Sequence, residues 1–148
     1  MSTPAFTDVG LPTQPAVVFL HGVGGGRHGW ATQQAHVAAL GWRSLAWDMP
    51  GYGDSPMVTP YDFAHLAQAL WQMLDAAGID QAVLVGHSMG AMVALQAWTQ
   101  KPKRIRGLLL AASSPLLATP MVIFKNSFWR SAWLHWKRAK PWATLPTS

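Results

Sequence analysis

The sequence predicts an α/β fold in which a parallel sheet carries helices on both faces. Three observations support this. Short apolar runs recur along residues 16–112, segments of helical periodicity separate them, and turn-forming residues close them. Right-handed crossovers through the helices would keep the strands parallel.

Ala16–Leu20 (AVVFL) is the first run, bounded by Pro15 and by His21-Gly22, and its unbroken apolar character suits a strand buried on both faces. Trp30 to Leu40 permits a helix and stops at Gly41, a residue suited to the left-handed position after a helix. Arg43–Trp47 (RSLAW) is expected as the second strand, followed by turn-rich residues from Asp48 to Ser55. Between Tyr61 and Ala77, Phe63, Leu66, Leu70, Met73 and Leu74 recur at helical spacing, and Gly78 ends the helix. Ala82–Gly86 (AVLVG) is expected as the third strand, Met89–Thr99 as a helix and Gly107–Ala112 (GLLLAA) as the fourth strand.

At 148 residues the chain can hold one domain but not two cores of ordinary size. Half its residues are hydrophobic and 11% are charged, which excludes a disordered polyelectrolyte and a coiled coil. Cysteine is absent, excluding a disulfide framework, a thiolate metal site and a cysteine nucleophile. Every apolar run falls short of the ~20 residues that a membrane helix needs. The first ten residues lack the basic and apolar regions of a secretory signal, so a soluble cytoplasmic protein is expected. The net charge of +5 conceals a break. Residues 1–100 hold two arginines against six aspartates, net −4, whereas residues 101–148 hold nine lysines and arginines and no acid, net +9.

The most specific motif is Gly86-His87-Ser88-Met89-Gly90, placed directly between a strand and an Ala-rich helix. A G-x-S-x-G sequence in that context forms a nucleophile elbow, a strained turn in which glycine on each side lets strand and helix approach without a Cβ clash. The turn also leaves the backbone N–H of Met89 at a helix N-terminus, where it can donate to an oxyanion. His21-Gly22-Val23-Gly24 ends the first strand and can present a second donor, the N–H of Val23. The third motif is Asp48-Met-Pro-Gly-Tyr-Gly-Asp-Ser55, whose Asp48 and Asp54 are read as local caps of turn N–H groups.

In this order and at this spacing the HG loop, the D-x-P-G-x-G-x-S loop and G-x-S-x-G resemble the α/β-hydrolase fold family, over residues 16 to about 115. The wording HGVGGGRHGW, AWDMPGYGDS and VGHSMGAMVAL is most similar to the branch of 3-oxoadipate enol-lactonases and related carboxylic-ester hydrolases. Esterases, C–C bond hydrolases and cofactor-free haloperoxidases share these motifs. A dehalogenase fits less well, because its nucleophile would be aspartate where Ser88 stands. The resemblance implies hydrolysis of a small-molecule ester or lactone through an acyl-enzyme on Ser88, with Val23 and Met89 as backbone oxyanion donors. It makes His21, Gly22, Gly86 and Gly90 loop-shaping residues and His87 a packing residue of the elbow. His28, His36 and His65 are read as surface or helix-face residues. No cofactor, metal or nucleic-acid partner is implied, and the oligomeric state stays open.

A dinucleotide-binding domain is the competing class. Gly24-Gly-Gly-Arg-His-Gly29 fits G-x-G-x-x-G, and Asp48 ends the next strand about twenty residues on. Here, however, the glycines begin after an HG turn instead of at the strand end, and the serine elbow is left unexplained.

Members of the resembled family carry serine, acid and histidine in that chain order. No Asp or Glu follows Asp80, and His135 is the only histidine after Ser88. The catalytic acid and histidine are therefore unassigned, and His135 is set aside because no later acid could orient it. The resemblance thus implies an incomplete α/β-hydrolase core of about four central strands over residues 1–117, with Ala5–Val9 the trace of a usual leading hairpin. Residues 118–148 form a basic tail that holds Trp129, Trp133, Trp136 and Trp142. Tryptophan has the single codon TGG, which a frame displaced by one base reads as Leu, Val or Met. One permitted choice of synonyms turns residues 120–146 into a segment of balanced charge and helical apolar spacing, similar to the cap region of enol-lactonase-like hydrolases. The tail is thus expected to be out of frame and the chain inactive as written. Two rival readings treat the tail as selected. One makes Phe124, Phe128, Trp133 and Trp136 the apolar face of a membrane-surface or partner-binding helix. The other has the tail bind single-stranded nucleic acid by stacking and charge.

Overall fold

The structure is a computed structural model that describes residues 2–111 and the backbone of residues 121–124. The expected boundary at residue 117, His135 and the four tail tryptophans lie outside the described residues. In chain order the strands are β1 (Phe6–Val9), β2 (Ala16–Leu20), β3 (Arg43–Trp47), β4 (Ala82–His87), β5 (Ile105–Ala111) and β6 (Met121–Phe124). The helices are α1 (Ala31–Ala39), entered through a 3-10 turn at Arg27–Trp30, α2 (Phe63–Ala76) and α3 (Met89–Gln100). Among the described residues no helix is long and apolar enough to cross a membrane.

One sheet holds all six strands in the order β1-β3-β2-β4-β5-β6. The inner four are parallel, as the alternation of apolar runs and helices predicts. Both edges differ from the four-strand expectation: β1 pairs antiparallel with β3, and β6 antiparallel with β5. The trace at Ala5–Val9 is thus a strand, anchored at one end by the Arg43 guanidinium, which donates to both oxygens of Asp8 at 3.0 and 2.7 Å.

Alternation along the strands sorts the core into two layers. Val18, Leu20, Leu45, Trp47, Leu84, Leu108 and Leu110 pack with α2 and α3 in the larger layer. Val17, Phe19 and Ala46 face the other way, against Trp30, Val37 and Trp42, with Phe19 stacked on Trp30 at 4.9 Å between ring centroids. Helix α2 starts at Phe63, the first residue of its apolar periodicity and two after the expected Tyr61, because the extended Asp62 caps it by accepting the His65 N–H at 2.8 Å. Gly78, at φ +70°, closes the turn that follows.

This topology fixes where a site can form. From β2 the chain crosses through α1 to β3 on one side, whereas from β4 it crosses through α3 to β5 on the other. The connections after the adjacent strands β2 and β4 therefore diverge, and the crevice between them at the carboxyl ends is the topological switch point of the sheet.

Candidate active site

The two most specific sequence motifs meet at that switch point. The HG turn leaves β2, the elbow leaves β4, and Leu20 lies opposite Gly86 in the parallel register. Ser88 adopts φ +54° and ψ −117°, and it is the only non-glycine residue at positive φ among those described. Such a conformation costs on the order of 1–3 kcal/mol and persists only where the surroundings enforce it. Here they do so in two ways. The Ser88 N–H donates to the Ala111 carbonyl at 2.8 Å, while its own carbonyl accepts from Ala91 at 3.0 Å as α3 begins. The side chain plays no part in capping that helix.

Gly86 and Gly90 are explained by backbone approach. A Cβ at Gly86 would lie 2.6 Å from the Ala91 Cα, and one at Gly90 would run into the Leu20 carbonyl. Across the crevice, a Cβ at Gly22 would stand 3.0 Å from the Ser88 Cβ, so the HG turn passes directly beside the serine.

His21 is buried, and both its ring nitrogens are committed. Nδ1 donates to the Gly22 carbonyl at 2.7 Å, and Nε2 accepts the Met49 N–H at 2.9 Å. This assigns a single neutral tautomer and leaves no lone pair for a serine proton. The Gly22 carbonyl also accepts from Gly25 at 3.0 Å. Among the described residues, neither the Val23 nor the Met89 N–H donates a hydrogen bond outside the helix and strand ladders.

His87 departs from its expected packing role. It is exposed and lines a shallow depression of about 430 Å³ with the glycine-rich turn, Trp30 and Gln33. Strand alternation places it on the same face as Val83 and Val85, at the carboxyl end of β4. His28 is exposed; His36 and His65 are half-buried on helix faces. His65 also pairs with Asp62 at 2.7 Å.

Asp48 and Asp54 do more than cap locally. Asp48 is buried at 4% exposure and accepts the Arg27 N–H at 2.8 Å, the Asp54 N–H at 3.2 Å and the Arg27 guanidinium at 2.9 Å. The same guanidinium reaches the exposed Asp54 at 2.8 Å. A local reading of the turn misses this bridge, although one signal existed. Arg27 and Arg43 are the only lysine or arginine residues in the first hundred, and each ties a distant aspartate. Burial alone would raise the Asp48 pKa, but the two N–H donors and the guanidinium outweigh it and hold the carboxyl below its ordinary value. A depressed folded-state pKa contributes stability that is present above the ordinary carboxylate pKa of about 4 and lost as pH falls through the lower folded value. In urea melts between pH 6 and pH 2, the midpoint of Asp48→Asn is therefore expected to fall less steeply below pH 4 than that of the parent chain.

No three histidines or carboxylates gather as a metal site among the described residues. Nor do the glycines from Gly24 to Gly29 open a helix directly from the strand, as the dinucleotide pattern requires. They form a turn that reaches the Arg27–Trp30 3-10 segment first.

A parallel switch-point sheet with a serine at a left-handed strand-to-helix turn defines a class, the elbow-bearing α/β proteins. The family model for the alpha/beta hydrolase fold matches residues 15–144, and the chain belongs to that family. Among its relatives, "Epoxide hydrolase 2" of Siraitia grosvenorii is 35% identical over 117 residues, covering 77% of this chain and 37% of that protein. A "2-succinyl-6-hydroxy-2,4-cyclohexadiene-1-carboxylate synthase" of Klebsiella pneumoniae is 32% identical over 141 residues, 95% of this chain and 55% of that one. Among solved structures, an N-acyl homoserine lactone degrading enzyme superimposes with a TM-score of 0.67 at 30% identity, over 72% of this chain and 40% of its own. The chain thus spans about two fifths of the length of the first curated relatives it matches.

Proposed function

We propose that the chain carries the nucleophile half of a serine hydrolase acting on carboxylic esters or lactones. The observation that carries this reading is Ser88 at φ +54° on the elbow, beside the HG turn and with its side chain uncommitted to the helix cap. In the reaction, the Ser88 hydroxyl oxygen adds to the acyl carbon and its proton passes to a base. The tetrahedral oxyanion lies between the N–H groups of Val23 and Met89. Expulsion of the alkoxide leaves an acyl-enzyme that water cleaves. The lactone-degrading structure at 30% identity supports a substrate of this kind, and the motif wording supports the enol-lactonase-type branch.

His21 does not supply the base, since it is committed at both nitrogens. We infer that residues beyond about 117 are read out of frame, which accounts together for the charge break, the tryptophan cluster and the absent acid and histidine. The family match that runs to residue 144 favours the other reading, an in-frame tail. DNA sequence around codons 112–122 decides between them: the displaced frame is expected to encode acids and a histidine downstream. A protein made from that restored frame is expected to hydrolyse esters or lactones and to lose this activity with Ser88→Ala. Thermal protection by NAD without hydrolysis would overturn the reading.

A further inference from the structure

We propose that Asp48 is a positioning residue for oxyanion stabilisation, holding the Val23 N–H in place through the HG loop. This rests on the serine-hydrolase reading above. Val23 sits in a loop of glycines, Gly22-Val23-Gly24-Gly25-Gly26, and is 76% exposed, so its own side chain cannot fix the peptide. Glycine-rich backbone is the least restrained in a chain, and a donor on it wanders unless both ends are tied.

The structure ties both ends to the segment that follows β3. At the entrance, His21 joins the Met49 N–H to the Gly22 carbonyl. That carbonyl belongs to the same peptide unit as the Val23 N–H. Holding the oxygen on one side therefore directs the N–H to the other, because the unit is planar and trans. At the exit, Asp48 takes the Arg27 N–H on Oδ1 and the Arg27 guanidinium on Oδ2. Asp48 is itself fixed. Its N–H donates to the Ala5 carbonyl at 2.9 Å, its carbonyl accepts the Ser55 hydroxyl, and that hydroxyl in turn accepts the Ala5 N–H. Three donors converge on one buried carboxylate, so the amide of asparagine cannot replace it. The asparagine NH2 would face the guanidinium and the Asp54 N–H, donor against donor. The space is also closed to a shifted side chain, because a Cβ at Gly53 would collide with the carboxylate and one at Gly26 would touch it at 3.4 Å.

Two measurements test the proposal, amide exchange on this 148-residue chain and Ser88 labelling on the protein restored in frame. In NMR amide exchange, Asp48→Asn is expected to raise exchange at Gly25 and Arg27 at least tenfold, with β4 amides changed less than twofold. After phosphonylation of Ser88 in the protein restored in frame, the Val23 amide proton is expected to move downfield. In Asp48→Asn the movement is expected to be less than half as large. If Asp48→Asn does not fold, Arg27→Gln, which keeps the main-chain bond, is expected to shift both readouts in the same direction by a smaller amount. Unchanged loop exchange in a folded variant would overturn the proposal. So would a Val23 shift on phosphonylation equal to that of the parent. A restored protein whose Ser88 forms no adduct would overturn the hydrolase reading itself, and the proposal with it.

Discussion

Ester hydrolysis by the chain as written is expected to stay within twofold of its Ser88→Ala variant, at least a thousandfold below a protein restored in frame. Serine attacks as the neutral hydroxyl unless a base takes its proton, and near neutral pH that hydroxyl is a poor nucleophile. Loss of one triad member commonly removes several orders of magnitude, leaving what binding and the oxyanion donors supply. The histidines beside the elbow do not fill the gap. His21 spends both nitrogens on the Gly22 carbonyl and the Met49 N–H, and His87 lines the depression beside Trp30 with no hydrogen bond to Ser88 among the described residues. Steady-state assays with an activated aryl ester on the parent, Ser88→Ala and the restored chain check this directly. Brisk Ser88-dependent turnover by the parent would return attention to His135, and His135→Ala would then identify the base.

The second large effect concerns the fold. Gly90→Ala is expected to destabilise the chain by about 3 kcal/mol or more, at the upper end of overpacking costs. The added Cβ would meet the Leu20 carbonyl carbon at 2.6 Å and the His21 oxygen at 2.7 Å. These are backbone atoms at the last residue of β2, in register with Gly86 of β4, and at the start of the HG turn, so neither can step aside as a flexible side chain would. The cost should appear as a loss of roughly 10 °C in the thermal midpoint. Gly24→Ala is the contrasting substitution: nothing lies within 4 Å of its Cβ, and only the positive φ of +79° opposes it. Its midpoint is expected to fall much less.

These two glycines show what a sequence can carry. The strand–turn–helix context of G-x-S-x-G states the local conformation, and the elbow appears where that motif places it. Apolar runs buried on both faces are legible for the same reason. β2 and β3 match their predicted residues end for end, and β4 runs only one residue further, to His87. Sheet edges are harder to read. Phe6–Val9 is four residues of mixed character, and only its pairing with β3 and the Arg43–Asp8 bridge make it a strand. The Arg27–Asp48–Asp54 bridge was hidden for a related reason. Each aspartate, read locally, looks like a turn cap, and the partner that changes its meaning lies more than twenty positions away. The family resemblance suggests packing for His87, whereas at the end of β4 its side chain is exposed among the described residues.

The most direct test of the central claim is covalent labelling of the protein restored in frame with a fluorophosphonate, followed by intact mass and peptide mapping. With a base supplied by the restored segment, the elbow geometry and the proposed donors at Val23 and Met89 predict a single adduct, on Ser88, that is absent from Ser88→Ala and at least a thousandfold slower to form in the 148-residue chain. An adduct spread over other serines, or formed equally by the Ser88→Ala variant, would contradict the assignment of Ser88 as the nucleophile.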